Sequence, residues 1–309
     1  MPKAPDRGHP MRRLIGLSAA LATPFDETGA IDWVRMAGHA RRLLDSGMKT
    51  VTAFGTTGEG ASIGMRSRAE LFERMHACKI APVRLVECIY GPASEDAAAH
   101  TKRALQAGCA GILLCPPFYF RSPDADGLFR WYAEVFEKAG GDCRDVLLYH
   151  IPDMTGVHIG VELVTRLRTA FPEVIAGVKD SGGEWASTAA LLAAHKDLAI
   201  LVGHENHLAR AVQLGASGAI SGIANLDPAL VGGLAAGRAD PRIDAVLAAI
   251  LAYPVVPAIK AALAGLTGDD VWLRTRAPLP SLSRADARAL CQTLSRIGDS
   301  PWASSDQRL

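Results

Sequence analysis

Short apolar runs alternate along the chain with longer stretches in which apolar residues recur every three or four positions. The first run, residues 14–21, precedes residues 32–46, where Val34, Met36, Ala37, Ala40, Leu43 and Leu44 share one face of a predicted helix. The alternation repeats. Strand-like runs fall at 50–54, 83–90, 111–115, 146–151, 174–179, 198–202 and 218–221, and helical stretches follow them at 66–80, 95–107, 126–139, 160–171, 185–195, 207–214 and 228–236. Apolar runs without polar alternation predict strands buried on both faces, as in a parallel sheet. Strands alternating with helices of about 10–15 residues predict βαβ units. Eight such units predict an α/β fold of the closed (β/α)8 TIM-barrel type over residues 14–237. A doubly wound nucleotide-binding sheet is disfavoured, because no G-x-G-x-x-G follows any strand.

Beyond residue 236 the spacing is helical only, at 243–253, 256–266 and 283–297, with Ser283 three residues before Asp286 as a predicted N-cap. Residues 238–309 therefore read as a three-helix extension packed on the barrel. Residues 1–13 read as a Pro-rich disordered leader. Arg12 and Arg13 followed by residues 14–22 imitate a signal peptide. The strand count argues against that reading, since cleavage after Ala22 would leave seven strands.

Composition narrows the function. Charges nearly cancel, with 33 Lys and Arg against 32 Asp and Glu, and the basic residues are interspersed with acids. Nothing in that pattern suggests a nucleic-acid footprint. No apolar stretch reaches the roughly 20 residues a membrane span needs. The six cysteines (78, 88, 109, 115, 143 and 291) form no C-x-x-C pair and have no histidine at ligand spacing. They predict reduced thiols in a cytoplasmic protein, with neither disulfides nor a metal.

In such a barrel the chemistry lies at the C-terminal ends of the strands. Strand two ends in Gly55-Thr56-Thr57-Gly58-Glu59-Gly60, strand four in Pro116-Pro117-Phe118-Tyr119-Phe120, and strand five in Tyr149-His150-Ile151-Pro152. Strand six ends in Lys179, strand seven in Gly203-His204-Glu205, and strand eight in Ile220-Ser221-Gly222. The Gly-Thr-Thr-Gly turn offers hydroxyls and bare N–H groups suited to a carboxylate, or is simply a glycine turn. His204-Glu205-Asn206-His207 is one residue short of H-E-x-x-H and reads as a helix start. A lysine at a strand end is commonly a solvated terminus. Lys179 differs because an apolar run carries it into the barrel mouth. A free lysine titrates near about 10.4, and desolvation favours the neutral amine that a nucleophile requires. Asp180 should face away, since strand neighbours point to opposite faces. Tyr149, one strand over, is placed to carry the protons of carbinolamine formation and collapse.

Taken together these residues resemble the dihydrodipicolinate synthase / N-acetylneuraminate lyase family of class I aldolases. The resemblance rests on Gly55-Thr56-Thr57-Gly58-Glu59, on Tyr149-x-x-Pro152, and on Gly177-Val178-Lys179-Asp180-Ser181. It extends to the run GASGAISGIAN at 215–225 and to Pro257-Ala258-Ile259-Lys260-Ala261-Ala262-Leu263, covering residues 14–295 in family order. It implies that Lys179 forms a Schiff base with pyruvate or a pyruvate-yielding 2-oxo acid, with no other cofactor, and that Tyr149 is the acid/base. It implies that Thr56, Thr57 and Gly58 hold the carboxylate, with Thr57 relaying protons, and that the main chain at Ile220 lines the pocket. Tyr119 falls where the synthases carry a tyrosine that enters a neighbouring subunit's site, which implies a homotetramer built as a dimer of dimers.

The departures bear on the substrate. Met154 stands where the synthases carry an arginine for the aldehyde's carboxylate, and a methionine offers no bidentate donor. Near Gly203, where N-acetylneuraminate lyases carry an acidic pair, this chain has His204, Glu205 and Asn206, and Gly222 stands where they have a serine. Met65 and Arg68 replace histidines associated with lysine feedback. His150 and Phe120 replace asparagines. The expected activity is a lyase acting on a 2-keto-3-deoxy sugar acid or a hydroxylated 2-oxo acid by cleavage, condensation or dehydration. One alternative is the lysine-pathway synthase condensing pyruvate with aspartate semialdehyde, with Arg121 in the missing arginine's place. Another is a non-catalytic 2-oxo acid binder.

Overall fold

A computed structural model of the chain describes residues 15–298, so the expected leader over 1–13 lies outside them. The strands are β1 (Leu17–Ala20), β2 (Thr50–Ala53), β3 (Leu85–Ile89), β4 (Gly111–Leu114), β5 (Val146–His150), β6 (Ile175–Asp180), β7 (Ala199–Val202) and β8 (Gly218–Ser221). All pair in parallel in sequence order, and β8 pairs back onto β1, closing the barrel. The expected fold class is the one found. The run at 14–22, once separated from its signal-peptide reading, supplies β1, which pairs with Thr50–Thr52 and with Ala219–Ser221.

Eight helices cover the barrel: α1 (Trp33–Asp45), α2 (Met65–Ala77), α3 (Ser94–Gln106), α4 (Ala125–Ala139), α6 (Val161–Ala170), α7 (Trp185–Ala194), α8 (Leu208–Gln213) and α9 (Pro228–Ala235). A single helical turn, α5 (Pro152–Thr155), interrupts the loop after β5 and is absent from the sequence reading. Asp32, Asp124 and Asp227 accept from the backbone N–H three residues on at the starts of α1, α4 and α9. Caps of this kind stabilise a helix by about 1 kcal/mol each. Several predicted ends were too long. The run at 83–90 loses its start to a tight turn at Pro82–Arg84, and α2 stops early because Lys79 adopts φ 63°.

Two apolar layers hold the barrel. Inward residues such as Val86, Leu113, Leu147, Leu201 and Ile220 fill its interior. Outward ones such as Val51, Ile112, Leu148 and Ile200 pack under the helices. A β-bulge shifts the register where Val146 pairs with Ile175 but Leu147 pairs with Gly177. A Cβ at Gly177 would lie 2.0 Å from the Ala199 carbonyl oxygen, so only glycine fits this bulge. After it the alternation resumes, turning Lys179 inward and Asp180 outward. On β3, Glu87 faces the helices, wholly buried, and accepts from Arg68 at 3.3 Å and from Arg103 at 2.7 Å.

The extension comprises α10 (Arg242–Leu251), α11 (Val255–Thr267) and α12 (Arg284–Ser295), and Ser283 caps the last as expected by accepting from Asp286 N. Helix α11 is buried along most of its length, from Val256 to Gly265. Helices α10 and α11 meet at 113°, and among the described residues no single helix is long and apolar enough to cross a membrane.

Candidate active site

A cavity of about 220 Å³ opens at the C-terminal mouth of the barrel, lined by residues from β1, β2, β5, β6, β7 and β8 or the loops after them, and by α10 and α11. Lys179 lies at its floor, 5% exposed. Its Nζ donates to Tyr149 Oη at 3.2 Å and lies 4.3 Å from the centroid of the same ring. The pairing follows from register, because Lys179 and Tyr149 are direct neighbours on β6 and β5. Both side chains are shielded from water.

The hydroxyl that meets Tyr149 belongs to Thr56, at 3.0 Å, whereas the proton-relay role was expected of Thr57. Thr57 lines the cavity beside it, its Oγ1 facing Gly222. A Cβ on Gly222 would come within 3.2 Å of that hydroxyl and 3.1 Å of Ile259 Cδ1, so a serine at this position would crowd the pocket. Gly203, Glu205, Ile220 and Met154 all reach the lining. Glu205 Oε1 is already engaged, accepting from Ser221 Oγ at 2.6 Å and from Ile223 N at 3.2 Å, which ties the ends of β7 and β8 together.

Gly58 and Tyr119 do not line this chain's own cavity. Gly58 stands behind the lining, where its carbonyl accepts from Thr23 and a Cβ would meet the Leu21 oxygen at 2.7 Å, so it serves the turn. Tyr119 is 78% exposed and stacks edge-on against Phe120, away from its own chain's cavity. Arg121 lays its stem along Gly156 on the surface and is not part of the lining.

Other groups at the mouth have no role that the sequence assigned. The loop bearing Thr56 and Thr57 continues into Glu59, which adopts φ 56° and turns its carboxylate inward. There Oε1 accepts from Lys260 Nζ at 2.5 Å and Oε2 accepts from Arg276 N at 2.7 Å. Lys260 also donates to the Thr23 carbonyl at 2.9 Å, and burial pulls its amine below the ordinary value although Glu59 opposes the shift. Thus α11 clamps the threonine loop. On the outer face of β6, burial pushes the Asp180 carboxyl upward. Hydrogen bonds from His150, Thr188 and Gly182 N outweigh that push and leave it below its usual range. His150, whose role was open in the sequence, joins β5 to β6 through this contact at 2.9 Å, directly behind the Tyr149–Lys179 pair. Tyr90, immediately after β3, brings its hydroxyl to 3.4 Å from Thr56 Oγ1. The sequence reading took no candidate from the end of strand three. The signal available was position alone, since Tyr90 is the inward residue that follows inward Cys88 by two.

An inward lysine hydrogen-bonded to an inward tyrosine at the carboxyl end of a closed parallel barrel defines a class: barrel lyases of the class I aldolase kind. The family follows from comparison. The family model described as "Dihydrodipicolinate synthetase family" matches residues 13–297, and the chain belongs to that family. It is 32% identical, over 91% of its length and 96% of the other's, to an uncharacterized DapA-like lyase of Chloroflexus aurantiacus. It superposes with TM-score 0.90 on dihydrodipicolinate synthase from Agrobacterium tumefaciens str. C58, at 47% identity, covering 92% of this chain and 99% of that one. It shares the fold, at TM-score 0.80 and 22% identity over 92% of this chain and 98% of the other, with YagE, an E. coli K12 prophage protein solved in complex with pyruvate.

Proposed function

We propose that the protein is a pyruvate-linked lyase that acts on a 2-keto-3-deoxy sugar acid or a hydroxylated 2-oxo acid through a Schiff base on Lys179. Neutral Nζ attacks the C2 carbonyl, and Tyr149 delivers a proton to the developing alkoxide and assists loss of water, leaving an iminium. The iminium withdraws electrons from the C3–C4 bond. The Tyr149 phenolate left by the dehydration takes the proton of the C4 hydroxyl, which breaks that bond, releasing an aldehyde and leaving an enamine. Protonation at C3 and hydrolysis then free pyruvate and Lys179. Thr56 and Thr57 flank the position of the substrate carboxylate. The imine itself is the electron sink, so this chemistry asks for no further cofactor. The observation that carries the reading is the buried Lys179–Tyr149 hydrogen bond inside the cavity.

Incubation with pyruvate and borohydride followed by intact mass measurement is expected to add one reduced pyruvyl group, and Lys179→Ala to abolish it. No adduct, or an adduct that survives Lys179→Ala, defeats the mechanism.

The name of the A. tumefaciens relative favours a second reading, condensation of pyruvate with aspartate semialdehyde. Against it, no arginine lines the cavity among the described residues, and Met154 occupies the lip. The distal wall is built from Leu247, Ile250 and Leu251 of α10 with Val255 and Ile259 of α11, which offer nothing to a second carboxylate. The unpaired, dispersed cysteines accord with a cytoplasmic enzyme.

A further inference from the structure

The groups at the cavity floor form a line that is longer than the proposed chemistry uses. Lys179 Nζ meets Tyr149 Oη at 3.2 Å, Tyr149 Oη meets Thr56 Oγ1 at 3.0 Å, and Thr56 Oγ1 meets Tyr90 Oη at 3.4 Å. Four groups from β6, β5 and the ends of β2 and β3 are joined within one chain. The member that is furthest from the lysine is also firmly held. Tyr90 packs against the inner barrel cluster, and the Arg68 guanidinium lies 5.8 Å from its ring centroid. Arg68 is itself buried and fixed by the carbonyls of Gly60, Ile63 and Cys88. Gly60 passes so close that a Cβ there would lie 2.8 Å from Tyr90 Cε2.

The titratable neighbours of Tyr90 are Arg68, Cys88, Cys115, Tyr149 and, beyond Tyr149, Lys179. Burial pushes the Tyr90 hydroxyl well above its ordinary value, and Cys88, Tyr149 and Cys115 add to the shift against a smaller opposing hydrogen bond from Thr56. It therefore keeps its proton across the working range and has one to donate.

We propose that Tyr90 is a positioning residue that orients the Thr56 hydroxyl toward Tyr149 and extends the hydroxyl line that moves protons to and from the imine. The inference rests on the Schiff-base reading above. It accounts for a tyrosine at a strand end where the cavity lining does not need one.

The test needs only pyruvate. Imine formation followed by reversible loss of a C3 proton exchanges the pyruvate methyl hydrogens for deuterium in D2O, a rate read by proton NMR. Borohydride trapping over a range of pyruvate concentrations separately reports imine occupancy. Tyr90→Phe keeps the ring and removes the hydroxyl. It is expected to trap pyruvate with half-saturation within about two-fold of the parent, while exchange slows by about ten-fold or more and its pH profile moves to higher pH. Because Tyr90 acts through Thr56, Tyr90→Phe should cost nothing further in a Thr56→Val background, a non-additivity that loss of packing alone would not produce. Unchanged exchange in Tyr90→Phe, or losses that simply add in the double variant, overturns the inference while leaving the Schiff base intact. Failure of the parent to trap pyruvate overturns both, and the trapping arm separates the two cases.

Discussion

Lys260→Met is the most direct probe of how the helical extension supports the site. The lysine and Glu59 are both fully buried, with Nζ and Oε1 2.5 Å apart. Removing the ammonium leaves a carboxylate in an apolar setting with the Arg276 backbone N–H at its other oxygen, and leaves the Thr23 carbonyl without this donor. Breaking a buried pair from one side costs about 3–5 kcal/mol, and an abandoned buried acceptor costs about 1–3 kcal/mol when it finds no substitute. Methionine nearly conserves volume, so the packing loss beside Phe25 is small. An overall loss of about 4 kcal/mol is expected, and at about 2 °C per kcal/mol for a chain of this size it lowers Tm by about 8 °C. Differential scanning calorimetry or urea unfolding reads it. Glu59→Gln in the same background removes the orphaned charge and should restore at least half of the loss. Trapping of pyruvate should weaken in Lys260→Met, because Glu59 ends the loop that carries Thr56 and Thr57. A single variant within about 1 kcal/mol of the parent, or a double variant no better than the single, refutes the clamp.

Two further outcomes concern substrate and assembly. Met154→Arg places a guanidinium at the cavity lip, and a charge-assisted pair contributes about 1.5–3 kcal/mol. Its kcat/KM with aspartate semialdehyde should therefore rise roughly ten- to a hundred-fold from a poor parental value, whereas efficient condensation by the parent would overturn the role given to Met154. Exposed, aromatic Tyr119 and Phe120 fit a subunit contact in the homotetramer that the family resemblance implies. Light scattering should report four chains, and Tyr119→Asp should shift the population toward smaller species; a monomeric parent would sink that assembly.

The barrel was legible because its signal is redundant: eight apolar runs, each with a helix behind it, tolerate errors of several residues at every boundary. Lys179 and Tyr149 were legible for the same reason, as inward residues at the ends of adjacent strands. Thr56 and Thr57 were found as a pair, but which hydroxyl meets Tyr149 depends on the torsions of a turn in which Phe54 and Glu59 both adopt positive φ. No periodicity encodes that. Tyr90 was missed because an isolated tyrosine after a strand has the composition of any rim residue. The Lys260–Glu59 and His150–Asp180 contacts were invisible for a different reason. Each joins residues distant in sequence or on neighbouring strands, and only the closed geometry brings them within hydrogen-bonding distance.

That division also explains why the chemistry is better defined than the substrate. Lys179, Tyr149, Thr56 and Tyr90 hang from strand ends whose register is fixed by the barrel, so their relative positions are set by the fold itself. The distal wall is carried by α10 and α11, which meet each other at a sharp bend and touch the barrel through side chains such as Ile259 near Gly222. Residues there can change size and polarity without moving the lysine, provided that the Lys260–Glu59 pair keeps α11 in place. Under the proposed Schiff-base reading, specificity is free to vary on the extension and at Met154 while the floor that carries Lys179 stays constant. Swapping wall residues such as Leu247 should accordingly alter which aldehydes are accepted and leave pyruvate trapping untouched.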